Sequence, residues 1–259
     1  MKKINVIWLE ADGCSGNIIS FLNSVEPSIR YLLENVINIT YDNAVTGEEG
    51  EVAWERFLNT LNTEFILIVE GAISLKSDGY YNVIANYKGE RITANKAVEL
   101  AAQKAKYIIS VGVCACYGGV SAARPNPTQC ISVKEFLGEK QVIRVPGCPC
   151  NPRWLSGTIL QLVNGNRIML DEEGKPLMYY GRTIHDRCPR RGDFEEKRFA
   201  KGLGEPGCLF RLGCRGPVTR ADCPVEKWND QKNWPIGVNT NCVGCTNKYF
   251  PDGMEPFER

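Results

Sequence analysis

The chain has 259 residues, of which 43% are hydrophobic, so it can bury a substantial core without disulfide staples. Its formal net charge is +1, which gives no reason to expect a nucleic-acid partner. The sequence contains no apolar run near the roughly 18 residues that a membrane span needs. Twelve cysteines accompany a single histidine. That is far more thiol than packing requires, so the cysteines need a chemical explanation.

The N-terminus reads MKKINVIWLEADG, a basic pair followed by a short apolar run. The run is too short for the core of a signal peptide, and no small-residue cleavage site follows it. We therefore predict a cytoplasmic location, in a compartment where disulfides are rare. In such a compartment, cysteine-rich sequences are expected to bind metal.

The first part of the chain alternates between strand-like and helix-like segments. Near-continuous apolar runs, typical of buried parallel strands, cover 4–10, 36–42, 65–71, 106–113 and 141–147. Helix-like segments cover 18–35, 48–62 and 95–105. This alternation predicts an α/β fold with a doubly wound parallel sheet. Residues 170–259 are instead rich in Gly, Pro, Arg and Cys. We predict two domains, 1–165 and 170–259, the second held together by its cofactors.

Three cysteines follow the ends of predicted strands. Cys14 comes after the first strand, Cys114 after the fourth and Cys148 after the fifth. Ligands of open parallel sheets bind at the carboxyl ends of the strands, so these three thiols should converge. Converging thiolates need a cation, and an iron–sulfur cluster is one group that takes such ligands.

The second half contains two more groups of potential ligands. Their motifs are HDRC (185–188) with CLFRLGC (208–214), and Cys223 with CVGC (242–245). Ligands three residues apart allow one turn to supply two of them to one metal. Spacing alone leaves zinc and iron–sulfur equally open for both groups. The position of His185 within H-x-x-C favours a ligand over an ordinary surface histidine.

Taken together, the motifs resemble those of the small, electron-transfer subunit of [NiFe] hydrogenases. The resemblance covers nearly the whole chain, with the motifs in the family's order. They are WLEADGCSGN (8–17), VEGAI (69–73), VGVCACYGGVSAARPNPT (111–128), VPGCPCNP (145–152), HDRCPRRG (185–192), GCLFRLGCRGPVT (207–219) and NWPIGVNTNCVGC (233–245).

The resemblance implies a flavodoxin-like N-terminal domain, an irregular C-terminal domain and three iron–sulfur clusters. A separate large subunit would hold the nickel–iron centre, which splits or forms H2, while this chain carries the electrons. The implied ligands of the proximal cluster, which faces the large subunit, are Cys14, Cys114 and Cys148. Those of the distal [4Fe–4S] cluster are His185, Cys188, Cys208 and Cys214. Those of the medial cluster are Cys223, Cys242 and Cys245. Pro235 stands where some relatives have a fourth medial cysteine, which implies a [3Fe–4S] cluster there.

The chain departs from the family at the first motif, where Asn17 replaces the second cysteine of the usual C-x-x-C. The proximal cluster could keep only three irons, take oxygen from Asn17 or Asp12, or recruit Cys116 or Cys150. Asp12 is anionic and the better ligand, whereas Asn17 occupies the family's ligand position. Two extra cysteines of oxygen-tolerant relatives are also missing, since Gly16 and Gly119 stand at their positions. An oxygen-tolerant proximal cluster with two additional cysteines is therefore not expected here.

Several residues have a structural interpretation beside a functional one. Cys116 and Cys150 are expected to pack or to support neighbouring ligands, and Cys130 to have no role in the pattern. Glu70 matches the VEG motif and could relay protons or cap a helix, and the capping role is slightly favoured. The arginines 187, 190 and 191 could dock an acidic electron acceptor or form a solvated loop.

Two other classes of protein remain open from the sequence. One is a zinc-stabilised binding module without a redox role. The other is the electron-transfer subunit of a different oxidoreductase, although such subunits generally lack the HDRC and CxxC half. For a hydrogenase subunit, we expect a soluble redox partner such as a diaphorase or a ferredoxin-type module.

Overall fold

The computed structural model describes residues 3–228 and 231–254. It divides into two compact units, Met1–Ile168 and Met169–Arg259. Within the described residues, no helix is both long enough and apolar enough to cross a bilayer.

The first unit is built on a five-stranded, wholly parallel sheet. The strands of this unit are β1 (Ile4–Glu10), β2 (Ile37–Asp42), β3 (Phe65–Glu70), β4 (Ile73–Ser74), β5 (Val83–Tyr87), β6 (Glu90–Thr93), β7 (Tyr107–Val111), β8 (Cys130–Ile131) and β9 (Ile143–Val145). The sheet order is β2-β1-β3-β7-β9. Counted along the chain this is 2-1-3-4-5, the flavodoxin-like order. The predicted fold class is therefore confirmed, with each predicted strand trimmed by no more than a few residues.

Helices cover both faces of the sheet, which explains the near-continuous apolar strands. They are α1 (Gly16–Leu22), α2 (Ile29–Tyr31), α3 (Gly50–Thr60), α4 (Ala94–Lys104), α5 (Gly112–Tyr117), α6 (Val133–Leu137) and α7 (Pro152–Val163). The side chains of successive β1 residues pack on opposite faces of the sheet, as strand geometry requires. Ile7 joins a buried cluster with Trp54 of α3 and Ala101 of α4. Trp8 packs on Phe21 of α1, with ring centroids 5.6 Å apart.

The helix predicted over 18–35 is interrupted. After α1 ends, the chain turns and then forms α2, which runs directly into a π-helical turn at Leu32–Val36. Pro27 lacks a backbone N–H and cannot continue a helix through the break. The Ser28 side chain then accepts a hydrogen bond from the backbone N–H of Tyr31, which starts the second helical segment. Helical periodicity on both sides of the proline concealed this turn.

Two antiparallel pairs were not predicted. The strands β5 and β6 form a hairpin, and β4 pairs with β8. The hairpin residues are mostly exposed or half-buried, so they lack the apolar run that marks the central strands.

The second unit contains only short elements within its described residues. They are α8 (Leu177–Tyr180), α9 (Arg191–Glu195), α10 (Cys223–Glu226), and the 3-10 turns His185–Arg187, Leu209–Leu212, Gly216–Val218 and Ile236–Val238. Elements this short bury too little apolar surface to be stable alone. The unit therefore depends on other interactions.

Candidate functional site

The strands of the central sheet end level with one another. In the ladders, Glu10 of β1 pairs with Glu70 of β3, which pairs with Val111 of β7, which pairs with Val145 of β9. The segments that follow β1, β7 and β9 carry Cys14, Cys114 and Cys148, and Cys114 lies in the first turn of α5. Parallel pairing therefore delivers all three segments to one edge of the sheet.

Direct hydrogen bonds join the three segments that carry these cysteines. The N–H of Val113 donates to the carbonyl of Gly147 across 2.8 Å. The N–H of Cys150 donates to the side-chain oxygen of Asn17, also across 2.8 Å. The structure thus brings together the three segments that hold the predicted proximal cysteines.

Two of these cysteines are exposed at the sheet edge. Cys14 and Cys148 are exposed, and Cys114 is half-buried. Free cysteine is otherwise among the most buried residue types. Their exposure suits groups that bind something this chain does not itself cover.

Cys116 and Cys150 lie in different surroundings from the cysteines two residues before them. Both are buried. The Cys116 thiol lies 3.4 Å from the Ser110 hydroxyl and 3.2 Å from the Ser110 carbonyl oxygen, against β7. The Cys150 thiol donates to the carbonyl of Asn151 across 3.4 Å. These contacts suit packing roles.

The carboxylate of Asp12 contacts a further cysteine, Cys130. This carboxylate accepts a hydrogen bond from the buried thiol of Cys130, with oxygen and sulfur 3.5 Å apart. Burial, together with smaller contributions from the charges of Asp12 and Cys114, raises the pKa of Cys130 to about 11. Cys130, expected to be a bystander, therefore lies beside both Asp12 and Cys114. The sequence offered no signal for this, because β8 places Cys130 there through long-range pairing.

Glu70 is a buried carboxylate at the same edge, only 1% exposed. It accepts hydrogen bonds from the Trp8 indole, the backbone N–H groups of Asn17 and Ile18, and the Asn17 side-chain amide. Burial raises its pKa to about 7, although the hydrogen bonds from Asn17 oppose the shift and nearby Glu10 adds to it. Glu70 therefore caps the start of α1, which is the structural alternative for this residue.

In the second unit, all four residues predicted for the distal cluster line one cavity. His185, Cys188, Cys208 and Cys214 share its wall with Arg190 and Phe210, and with the apolar side chains of Ile184, Leu209, Pro217 and Ile236. Burial raises the pKa of Cys188 and of Cys208, and the neighbouring thiol of Cys214 adds to both shifts. Residues up to 29 positions apart thus form one donor set of three thiols and an imidazole.

The three predicted medial ligands also lie together. Cys223 and Cys242 are buried and Cys245 is half-buried. Burial, with a smaller contribution from the charge of Cys245, raises the pKa of Cys223 to about 12. Burial likewise raises the pKa of Cys242, which is affected by the charges of Cys245, Cys214 and Cys223. Buried thiols with raised pKa values need a metal to become thiolates.

The donor chemistry fits iron–sulfur clusters. All twelve cysteines fall within the described residues, and none of them is in a disulfide. In the same part of the chain, no three His, Cys, Asp or Glu side chains are placed to hold a single metal ion. A cluster is larger than a single ion, so thiols that line a common cavity, as at the distal site, suit it. Thiol and imidazole donors gathered in this way on an α/β fold are typical of iron–sulfur proteins that transfer electrons.

Comparison with known families identifies both parts of the chain. Residues 180–258 match the family model that describes the C-terminal part of the NiFe/NiFeSe hydrogenase small subunit. Residues 14–162 match the model described as NADH ubiquinone oxidoreductase, 20 Kd subunit.

Individual relatives agree over the full length. The periplasmic [NiFeSe] hydrogenase small subunit of Desulfomicrobium baculatum is 36% identical over 99% of this chain and 87% of its own. The periplasmic [NiFe] hydrogenase small subunit of Solidesulfovibrio fructosivorans is 35% identical, over 98% of this chain and 81% of its own. A crystal structure of the reduced, active Ni-Fe-Se hydrogenase from Desulfomicrobium baculatum superposes with a TM-score of 0.94, covering 99% of this chain and 98% of that chain at 36% identity.

The chain belongs to the family of NiFe/NiFeSe hydrogenase small subunits. It is the electron-transfer subunit of a hydrogenase, an oxidoreductase whose catalysis takes place in a separate large subunit. Membership implies iron–sulfur clusters in this chain and a Ni–Fe site in the partner. The zinc-module alternative and the alternative of a different oxidoreductase are not favoured, because the hydrogenase-specific model matches residues 180–258.

The predicted cytoplasmic location is wrong. The two relatives above are named periplasmic, which points to the periplasm instead. The prediction rests on the short apolar run at the N-terminus, and the cysteines do not bear on the location either, for a physical reason. Thiolates that ligate a cluster are held by iron and do not pair as disulfides, so reduced cysteines do not report the redox state of the compartment.

Proposed function

We propose that this chain conducts electrons through three clusters held by the predicted residues. The distal [4Fe–4S] cluster takes His185, Cys188, Cys208 and Cys214, and the medial [3Fe–4S] cluster takes Cys223, Cys242 and Cys245. The proximal cluster takes Cys14, Cys114 and Cys148 with a fourth ligand from oxygen. Such clusters supply one-electron redox steps at potentials set by their ligands and surroundings. The observation that carries this proposal is the cavity lined by all four distal residues.

For the proximal fourth ligand we favour Asp12, with a [4Fe–4S] cluster. The carboxylate of Asp12 accepts a hydrogen bond from the thiol of Cys130. The charge of Cys114 contributes to the raised pKa of that thiol. An anionic oxygen is a better iron ligand than a neutral amide. The Asn17 oxygen, by contrast, already accepts the N–H of Cys150.

The two units divide these tasks. We propose domains at 1–165 and 170–259, close to the boundary between the compact units. The first carries the proximal cluster at the edge of the sheet, where exposed Cys14 and Cys148 suit a site that is covered by the large subunit. The second carries the medial and distal clusters.

His185 and its surroundings suit the exit of electrons to an acidic, soluble redox protein. Residues 182–215 contain nine Arg and Lys but only five Asp and Glu, against a net charge of +1 for the whole chain. Phe210 lines the distal cavity and is 46% exposed, so an apolar contact lies among these cations. A ferredoxin-type carrier has the required chemistry. The proposed periplasmic location disfavours an NAD-linked diaphorase, because the nicotinamide pool is cytoplasmic.

Iron counting with EPR and Mössbauer spectroscopy of the purified heterodimer tests the assignment. We expect about 11 iron atoms in this chain and a single [3Fe–4S] signal. Two [3Fe–4S] signals would mean that the proximal cluster lacks its fourth iron. Zinc without iron would overturn the whole proposal. Cell fractionation tests the location, and recovery in the cytoplasm would contradict it.

A further inference from the structure

Asn17 occupies the position where the family motif has a cysteine, yet its side chain is buried and engaged at both ends. It is 8% exposed. We propose that Asn17 is a positioning residue that ties together the three segments carrying Cys14, Cys114 and Cys148. This inference rests on the proximal site proposed above and assigns Asn17 a role other than that of ligand.

The nitrogen end of the amide is fixed by Glu70. The Asn17 side-chain nitrogen donates to the Glu70 carboxylate across 3.0 Å, and the backbone N–H of Asn17 donates to the same oxygen across 2.7 Å. The other carboxylate oxygen accepts from the Ile18 N–H at 3.0 Å and the Trp8 indole at 3.1 Å. Hydrogen bonds from β1 and α1 therefore fix the Glu70 carboxylate. The same bonds fix the start of α1, which directly follows the loop that carries Cys14.

The oxygen end of the amide reaches the Cys148 loop. It accepts the backbone N–H of Cys150 at 2.8 Å. Pro149 has no N–H, so the N–H of Cys150 is the first backbone donor after Cys148. Asn17 therefore binds the nearest point at which the backbone beyond Cys148 can be held.

The start of α5, which carries Cys114, packs against the same amide. Gly112, two residues before Cys114, has φ +82°, and a Cβ at this position would overlap the Asn17 amide group. Glycine permits both the positive φ and the close approach. One buried amide thus contacts the segments next to all three proximal cysteines.

This role requires an amide. Glu70 needs a donor and the N–H of Cys150 needs an acceptor, and a planar amide supplies one at each end. Aspartate has the same shape but no donor, and it would place two carboxylates in contact in a buried site. Alanine removes both hydrogen bonds and leaves a void.

The variants Asn17→Asp and Asn17→Ala separate positioning from ligation in the heterodimer. A ligand role predicts that Asn17→Asp keeps the proximal iron count, because carboxylate binds iron better, whereas Asn17→Ala loses one iron. The positioning role predicts that both variants lower the thermal midpoint and increase amide exchange in 13–17, 112–117 and 147–151. The proximal cluster signal should weaken in both.

Glu70→Gln gives a second test should Asn17→Asp fail to assemble. The glutamine side chain keeps only one acceptor oxygen. The positioning role therefore predicts increased amide hydrogen exchange in the same three segments. Unchanged exchange there, with a full proximal iron count in Asn17→Asp, would overturn the inference. Absence of iron from the proximal site of the wild-type protein would defeat the proposed cluster, but the exchange results would still report on the three segments.

Discussion

The imidazole of His185 packs edge-to-face against the ring of Phe194, with centroids 4.7 Å apart and planes at 78°. Phe194 also makes edge contacts with Phe199 and Phe210, at 6.1 Å and 5.3 Å. The single histidine of the chain is therefore oriented by an aromatic cluster whose member Phe210 lines the same cavity. An imidazole ligand needs such support, because its ring orientation decides which nitrogen faces the metal.

The substitution Phe194→Leu should increase the motion of the His185 imidazole ring. Each lost ring pair is worth about 1 kcal/mol, so losing the three ring contacts of Phe194 should cost the second unit roughly 3 kcal/mol of stability. The distal cluster's EPR spectrum should broaden as the imidazole samples more orientations. Phe136→Leu is the matched control, since Phe136 packs on the core of the first unit. It should reduce stability without changing the distal spectrum; an equal spectral change in both variants would contradict the orienting role.

Glu70 should make stability depend on pH. Its pKa rises from 4.5 to about 7 on folding, mainly through burial. Between these values the folded chain keeps a proton that the unfolded chain has lost. Its contribution is therefore fully present below about pH 4.5 and is lost as the pH rises through about 7, by about 3 kcal/mol. Denaturant unfolding of wild type and Glu70→Gln from about pH 5 to about pH 8 should show a shallower fall in the variant. Parallel curves would rule out this role for Glu70.

Cys114 and Cys116 should respond differently to the same substitution. Cys114→Ser removes a proposed ligand and should lower the iron content at the proximal site. Cys116→Ser should keep the iron, because its buried thiol contacts Ser110, with a stability cost of about 1 kcal/mol. Iron analysis and proximal EPR intensity check both. Iron loss in Cys116→Ser as complete as in Cys114→Ser would show that the buried thiol had moved in as a ligand.

Removal of the clusters should unfold the second unit selectively. Its helices have at most five residues in the described range, whereas the first unit has a buried five-stranded sheet. We therefore expect cluster binding to supply much of the folding free energy of the second unit. After iron chelation, hydrogen exchange should rise throughout 169–228 and 231–254, while β1, β3 and β7 stay protected. Equal loss of protection in both units would argue against cofactor-dependent folding of the second.

Electron transfer to an acidic ferredoxin-type protein should depend on salt. Arg211 is exposed, with its guanidinium 4.4 Å from the centre of the Phe199 ring, next to cavity-lining Phe210. Arg211→Glu should slow reduction of the acidic acceptor roughly tenfold at low ionic strength, and the difference should shrink at high salt. Arg91→Glu, an exposed change in the β5–β6 hairpin, is the control and should have little effect. A rate that does not vary with salt would exclude electrostatic docking.

The sequence was sufficient for the strands of the sheet and the identity of the family. A strand such as FILIVE, buried at all six positions, has a composition typical of a sheet covered on both faces. The apolar run is local, so it can be recognised from the residues alone. The order of cysteine motifs is likewise a property of the chain. By contrast, the location could not be read from the N-terminus and the cysteine content.

The tertiary structure decided what the side chains around the proximal cysteines contact. Asn17 meets Glu70, Cys150 and Gly112, and Asp12 meets Cys130, through contacts that span 53 to 133 positions of the chain. Such contacts follow from parallel strand register and crossover connections, which no local pattern encodes. The sequence showed that one thiolate is missing from the first motif. Only the fold showed that the residue in its place has both ends of its amide engaged in hydrogen bonds.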